Sequence, residues 1–498
     1  MRLTWIVIVL SFVFVSCGVS RSSLRADHKF SPREVEYDYK LFENILKDSH
    51  PGLYWYTPKD SMEYYFRRGA EQLKDSMTEQ QFRKVLSYVV SKIDCGHTSV
   101  KPSRYYFRHI DSSRFKIFPL SLKFWEDTAA VSANLNRNDS VLRRGTVIVS
   151  VNNKSIKEIT DTLFEYLPAD GYNRTHKFQT LSNRGFFGNS YTSIFGLSDK
   201  YTVDYVDSIG EIKSVTVPVY DPFKDSANRP GRGPAVTSTQ RERKESLRMS
   251  ARQLRIDYES KTAVMDLNTF SRGFGLKGFF RRSFKQLHDN GVENLIIDLR
   301  GNGGGNVMNS TLLSKYLIDK PFKLADSLYA INRHSAYGRY VQNYFFNRMF
   351  MWFVTKKRED GKYHFGYFER HYFKPKKKYH FDGQTYILIG GNSFSATCLF
   401  TESVQHEKNV TVVGEETGGG AYGNTAWLIP DVVLPETGVR FRLPLFRLVI
   451  DKNNPKDGRG IKPDVEVKPT VDAIKRGADF KMDKVKELID KSKATVKE

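Results

Sequence analysis

From residue 261 onward the chain repeats one pattern, an apolar strand followed by a tight turn and a helix. The strands are Ala263-Val264-Met265-Asp266-Leu267, Leu295-Ile296-Ile297-Asp298-Leu299, Tyr386-Ile387-Leu388-Ile389 and Val410-Thr411-Val412-Val413. A strand with one wet face alternates apolar and polar residues. These runs are mostly apolar throughout, so both faces need cover, as in a largely parallel sheet flanked by helices. One helix runs through Leu312, Leu313, Tyr316 and Leu317, and another starts at Ala396. Residues 256–470 therefore read as an α/β core, interrupted by an aromatic and basic segment at 321–383.

The preceding chain follows other rules. Residues 31–112 read as helical. Ser31-Pro32-Arg33-Glu34 is a capping box with proline at the first helical position, and Thr57-Pro58-Lys59-Asp60 and Thr78-Glu79-Gln80-Gln81 repeat the device. After the third start, Phe82, Val85, Leu86, Val89, Val90 and Ile93 mark one helix face. Asp94-Cys95-Gly96-His97-Thr98 stops that helix and is expected to leave His97 exposed. Residues 113–220 read as short strands, with a helix-like stretch at 155–166. They look like the carboxylate-binding end of a PDZ module, and an unrelated β-rich insert is the alternative. Residues 221–255 read as a polar linker and 471–498 as a charged C-terminal helix or tail. The fold class is thus α/β multidomain: a helical region, a β-rich PDZ-like insert and an α/β core.

The first residues read as an export signal. Arg2 precedes the apolar stretch Trp5–Val15, and Ser16-Cys17-Gly18 follows. The stretch is shorter than the ~18 residues of a membrane span. Phe14-Val15-Ser16-Cys17 resembles a bacterial lipobox. The expectation is a signal peptide over 1–17, lipidation at Cys17, a tether over 18–30, and a location in the bacterial cell envelope, periplasmic or surface facing. A plain secretory signal is the alternative. Export bears on the net charge of +22: an exported protein does not meet chromosomal DNA, so the charge points to anionic lipid or a solvated surface rather than nucleic acid. Three cysteines are too few for a disulfide scaffold. No clustered Cys/His spacing suggests a metal, and no cofactor is implied.

Two turns stand at the C-terminal ends of apolar strands, where open α/β sheets place their sites. The first, Asp298-Leu299-Arg300-Gly301-Asn302-Gly303-Gly304-Gly305, is dense enough in glycine to aim backbone amides outward as an oxyanion cradle. It lacks the Gly-Lys-Ser/Thr ending of a phosphate loop. The second, Gly390-Gly391-Asn392-Ser393-Phe394-Ser395-Ala396-Thr397, puts Ser395 where strand becomes helix, the logic of a nucleophile elbow. Helix capping is the alternative for either serine and is preferred for Ser393. A nucleophilic serine needs a base, either lysine or histidine. His97 is the obvious histidine. Asp457, on the loop Asp457-Gly458-Arg459-Gly460, is one candidate acid among many carboxylates.

Taken together, Asp298–Gly304, Ser393–Thr397, Val413-Gly414-Glu415-Glu416-Thr417-Gly418-Gly419-Gly420 and Gly458-Arg459-Gly460-Ile461-Lys462-Pro463-Asp464 resemble the S41 serine peptidases, the tail-specific or C-terminal processing group. The resemblance spans about 33 to 470 and implies a core like the crotonase-like peptidase fold. Members with a Ser-Lys dyad carry a lysine where Gly420 stands, so the resemblance points to the histidine-using, tricorn-core-like branch. Its histidine corresponds to His97, with His50-Pro51-Gly52 also matching. Its acid lies three residues before Gly460, at Asp457, where glutamate is commoner. The implied chemistry is acyl transfer to Ser395, with His97 as base, Asp457 as acid, and Gly303, Gly304 and Ala396 amides as oxyanion hole. The implied partner is a peptide or protein substrate, which a PDZ-like insert would hold by its C-terminus. A catalytically idle binding protein on this fold and an esterase with the same triad are the alternatives. Cys95 and Cys398 flank the implied site and read as small buried thiols rather than a disulfide.

Overall fold

The computed structural model describes residues 27–112, 115–224 and 239–495. Residues 1–26, and with them the signal and Cys17, lie outside the described residues. Three helices open the structure: α1 (Pro32–Ser49), α2 (Lys59–Ala70) and α3 (Glu79–Ser91). The capping boxes at Ser31 and Thr78 are both formed. At Thr57 the expectation is not met. Pro58 takes the cap position with no side-chain bond, and the Thr57 hydroxyl donates instead to the carbonyl of Lys92 at 2.6 Å. Phe42, Ile45, Phe66, Phe82, Leu86 and Val89 form the core of this region, which also packs on Phe441 and Leu443 from far along the chain.

The insert is an antiparallel sheet in the order β1 (Leu120–Trp125), β2 (Thr128–Asn134), β3 (Val147–Val151), β4 (Lys200–Val206), β5 (Ile212–Pro218). Between β3 and β4 come α4 (Ile156–Phe164), α5 (Arg174–Ser182) and α6 (Phe186–Phe195). The last two fall in a stretch that the sequence presents as strands.

Within the linker expected over 221–255, the described residues include a helix and a strand. Thr239 and Glu242 form a capping box that starts α7 (Gln240–Ala251). The chain then runs straight into β6 (Arg252–Asp257), an antiparallel edge strand on β7 (Thr262–Leu267). After α8 (Leu276–Asp289), β8 (Asn294–Asp298) lies parallel to β7. Then come α9 (Val307–Ser314), α10 (Tyr344–Val354), β9 (Gln384–Ile389), α11 (Ala396–Val404), β10 (Val410–Gly414) and β11 (Val465–Glu466). The sheet order is β6-β7-β8-β9-β10-β11, parallel from β7 onward. The expected buried parallel sheet is present, with Leu295, Ile297, Ile387, Ile389 and Val412 fully buried.

Segment 321–383 is built onto this core. Strands Ser327–Ala330, Tyr363–His364 and Lys356–Lys357 join Phe446–Val449 and Gly423–Ala426 in a second, five-stranded sheet. Of the helix or tail expected over 471–498, the structure has a helix: α12 (Phe480–Thr495) buries Val485 and Ile489 against Ile296, Leu388 and Val413 on one face of the main sheet.

Candidate active site

The two glycine-bearing turns follow β8 and β9, which are neighbours in the sheet. Asn302 stitches them together. Its carbonyl accepts the Phe394 amide at 3.1 Å and the Thr397 hydroxyl at 2.9 Å. Ser393 does not cap the helix; its hydroxyl donates to the carbonyl of Leu299 at 2.8 Å and pins one turn to the other. The two loops are therefore tied to each other by three hydrogen bonds.

Ser395 stands at the N-cap of α11 with φ 60° and ψ −120°, and its side chain makes no capping bond. Such a backbone costs a non-glycine residue about 1–3 kcal/mol and persists only where its surroundings enforce it. A serine that merely caps would sit in the extended region and bond an amide of the first turn. The capping alternative therefore fails for Ser395, and its hydroxyl stays uncommitted. Ala396 begins α11, so its amide has no carbonyl within the helix to bond.

His97 arrives from the helical region. The sequence suggests an exposed imidazole; the structure buries it to 4% exposure. The expectation fails because the turn after α3 packs against the core instead of ending at the surface. Asp94 takes φ 54°, and a Cβ on Gly96 would come within 2.5 Å of the Phe394 ring. Phe394 lies between two imidazoles, with ring centroids 4.7 Å from His97 and 4.9 Å from His176. Beneath the turn, the Gly52 amide donates to His50 Nδ1, which leaves Nε2–H to donate to Thr98 Oγ1 at 2.8 Å. Burial pushes the His50 pKa down to about 3, so the ring is held neutral. Both nitrogens of His97 are buried and lack a hydrogen-bond partner among the described residues. A free imidazole in that state is costly unless something else arrives to use it.

The carboxylate beside His97 is not Asp457. That residue is exposed, and its Oδ1 accepts the amide of Arg459 at 3.0 Å. Asp170, with a side chain 3% exposed, places Oδ1 3.8 Å from His97 Nδ1. It comes from the loop between α4 and α5 and is held there by the Gly96 amide at 2.8 Å. The loop is tied to the core by Asn173, which caps α5 and donates from Nδ2 to the carbonyl of Thr417 at 2.6 Å. The neighbouring Glu416 gathers the Arg459 guanidinium, the Gly460 amide at 2.7 Å and the Thr175 hydroxyl at 3.1 Å. The turn after Asp457 thus braces the insert, while the insert supplies the acid. In sequence, Asp170 is one Asp-Gly turn among several, and nothing local marks it.

The glycine loop also needs one correction. The Gly304 amide donates to Asn302 Oδ1 at 2.9 Å and is therefore spent. What Gly304 supplies is closeness: at φ +94°, a Cβ there would lie 2.6 Å from the Phe394 carbonyl and 2.7 Å from Ser395 Cβ. Gly303 is exposed toward the cavity, and with Ala396 it leaves two amides suited to an oxyanion.

Ser395, His97, Gly303 and Gly304 line one cavity of about 830 Å³, whose far wall is Phe350, Phe365, Phe368 and Trp427. Cys95, His97 and Asp170 each present one ligand atom, all within 4.8 Å of one another. Metal binding by that set needs a thiolate, and burial pushes the Cys95 pKa up to about 12. Cys398 is likewise a free, buried thiol, pushed up to about 12. The arrangement is suited to proton transfer at a serine: an uncommitted hydroxyl, an uncommitted imidazole, a buried carboxylate and two free amides.

The model of peptidase family S41 matches residues 261–467. A search of the curated proteins finds no significant match. Solved structures similar to the chain include mature CPAF, at 14% identity and TM-score 0.63, covering 92% of this chain and 97% of that one. A point mutant of CPAF superposes at 13% identity and TM-score 0.65, with the same coverage. Mature CPAF complexed with lactacystin does so at 14% identity and 0.61, covering 93% and 98%.

Proposed function

We propose that the chain is a serine-type peptidase, a reading supported by the match of residues 261–467 to the model of peptidase family S41, and that it hydrolyses peptide bonds through an acyl-enzyme on Ser395, with His97 as general base and Asp170 as the carboxylate that positions it. The observation that carries this reading is the shared cavity. A serine in an enforced backbone, with no capping bond, faces the same space as an imidazole with two unpartnered nitrogens.

The steps follow from the atoms. Ser395 Oγ attacks the substrate carbonyl carbon while His97 Nε2 takes the hydroxyl proton. The imidazolium carries its second proton on Nδ1, facing Asp170, whose negative charge stabilises it. The carbonyl oxygen becomes an oxyanion against the Gly303 and Ala396 amides; one such donor is typically worth about 3–4 kcal/mol. His97 then returns its proton to the leaving amine, and water repeats the sequence on the acyl-enzyme. The unmet hydrogen-bonding capacity of His97 in the resting protein is satisfied as the reaction proceeds.

The aromatic wall of the cavity favours an apolar side chain next to the scissile bond. The insert, which supplies Asp170, would also hold the substrate's C-terminus by strand addition. The leader residues support export to the bacterial cell envelope with lipidation at Cys17. A fluorophosphonate probe tests the catalytic reading: covalent label on Ser395, lost in His97→Ala, is expected. Label on another residue, or equal label in both proteins, would overturn it. Conversion of Cys17→Ala from a membrane-bound to a soluble protein tests the anchor.

A further inference from the structure

Helix α10, with the sequence Tyr-Phe-Phe-Asn-Arg-Met-Phe-Met-Trp-Phe-Val, runs from Tyr344 to Val354 and buries a single side chain, Met351. Phe345 is 70% exposed, Trp352 63% and Phe353 71%, with Phe346 and Met349 beside them. A soluble protein seldom leaves so many large apolar side chains together in water without a use for them.

The surrounding charge says what covers this patch. From Ser327 to Lys357 there is no Asp or Glu, while Arg333, Arg339, Arg348, Lys356 and Lys357 all fall within that stretch; the exposed Glu359 and Asp360 lie just beyond it, after Arg358, which is ion-paired with Glu369. Lys356 and Lys357 follow the helix directly and are exposed. Packing the patch on a second copy about a two-fold axis would gather five cations from each copy, with Glu359 and Asp360 as the nearest acids in sequence. An anionic lipid surface meets both needs. It takes aromatic side chains at the headgroup level and draws flanking Lys and Arg to its phosphates. The helix is 11 residues long, about 16 Å, far short of a ~30 Å hydrocarbon core. No described helix is long and apolar enough to cross a membrane. The length and the sided charge suit a helix lying in the interface.

We propose that α10 docks the protein on an anionic bilayer, with Phe345, Trp352 and Phe353 among the acyl chains and Lys356 and Lys357 on the phosphates. Phe350 of the same helix lines the cavity of Ser395. Docking therefore brings the mouth of that cavity to the lipid surface, where a polypeptide emerging from the membrane would enter it. The docking itself does not depend on the catalytic reading, and its test does not read activity.

Of the chain's five tryptophans, Trp5 lies in the leader, while Trp55, Trp125 and Trp427 are partly buried. The unlipidated full-length protein carrying Trp5→Phe is titrated with vesicles of phosphatidylcholine and phosphatidylglycerol whose acyl chains are brominated. Strong quenching of tryptophan emission is expected, with most of it lost in the Trp5→Phe/Trp352→Phe protein. Lys356→Glu/Lys357→Glu is expected to weaken vesicle binding by at least roughly thirtyfold, the worth of two cations near an anionic surface. Equal quenching with and without Trp352 would mean that another segment carries the binding and would overturn the proposal. So would the absence of quenching, whether the protein stays monomeric or forms a dimer that Phe353→Ser disperses; the dimer would assign the patch to a second copy.

Discussion

Replacing Asp170 by asparagine separates the two candidate acids. The carboxylate lies 3.8 Å from His97 Nδ1, and both side chains are buried. As Ser395 attacks, the imidazole gains a full positive charge, and the Asp170 charge stabilises it by about 332/(20 × 3.8), roughly 4 kcal/mol, at an effective dielectric constant of ~20. Losing that interaction only in the charged state slows acylation by about 10³. The asparagine carbonyl still accepts the Gly96 amide, so the turn that carries His97 is retained. The assay is the second-order rate of Ser395 labelling by a fluorophosphonate, which needs the base but no knowledge of the natural substrate. Asp170→Asn is expected to label about a thousandfold more slowly. Asp457→Asn, altering an exposed carboxylate, is expected to change the rate by less than roughly threefold. A thousandfold loss in Asp457→Asn, with Asp170→Asn near the unaltered rate, would refute the assignment of the acid.

Gly304→Ala forces a methyl to within 3 Å of Phe394 and Ser395 at a positive φ; a thermal melt is expected to show a loss of about 1–3 kcal/mol, and labelling to fall about a hundredfold as the oxyanion geometry shifts. Asn173→Ala removes both the α5 cap and the bond to Thr417, for an expected loss of about 1–2 kcal/mol by denaturant titration. His50 contributes a pH dependence. Its folded pKa, about 3, lies below its ordinary value, so the fold favours the neutral ring. That stabilisation is complete above about pH 6.5 and is lost as pH falls toward 3, at up to about 1.4 kcal/mol per pH unit. Asp38 and Asp94, whose pKa values burial raises to about 6, contribute slopes of the opposite sign in this window, so the expected readout is the difference in unfolding free energy between the unaltered protein and His50→Gln from pH 7 to 4, which carries the His50 slope alone.

The sheet and the Ser395 turn were legible because their signals are local. Mostly apolar runs such as Leu295–Leu299 demand cover on both faces, and a serine at a strand-to-helix turn beside a glycine loop limits what it can do. His97 was legible as a residue, through the helix stop before it, but not as a buried one, since burial comes from Phe394 and the insert closing over it. Asp170 was not legible. It reaches the site through the packing of one domain on another, and spacing from Gly460 pointed to Asp457 instead. The commitment of the Gly304 amide to Asn302 is equally a matter of loop geometry that glycine content does not reveal. The charge of the last residues hid the two apolar positions, Val485 and Ile489, that bind α12 to the sheet. The capping box at Thr239 was present in a segment whose polar composition read as linker.

A crystal structure of the protein phosphonylated by a fluorophosphonate measures the central relation directly. The expected result is phosphorus on Ser395 Oγ, His97 Nε2 within about 3 Å of that oxygen, and the phosphoryl oxygen on the Gly303 and Ala396 amides. Phosphorus on a different side chain, or a His97 ring turned away with another group in its place, would contradict it.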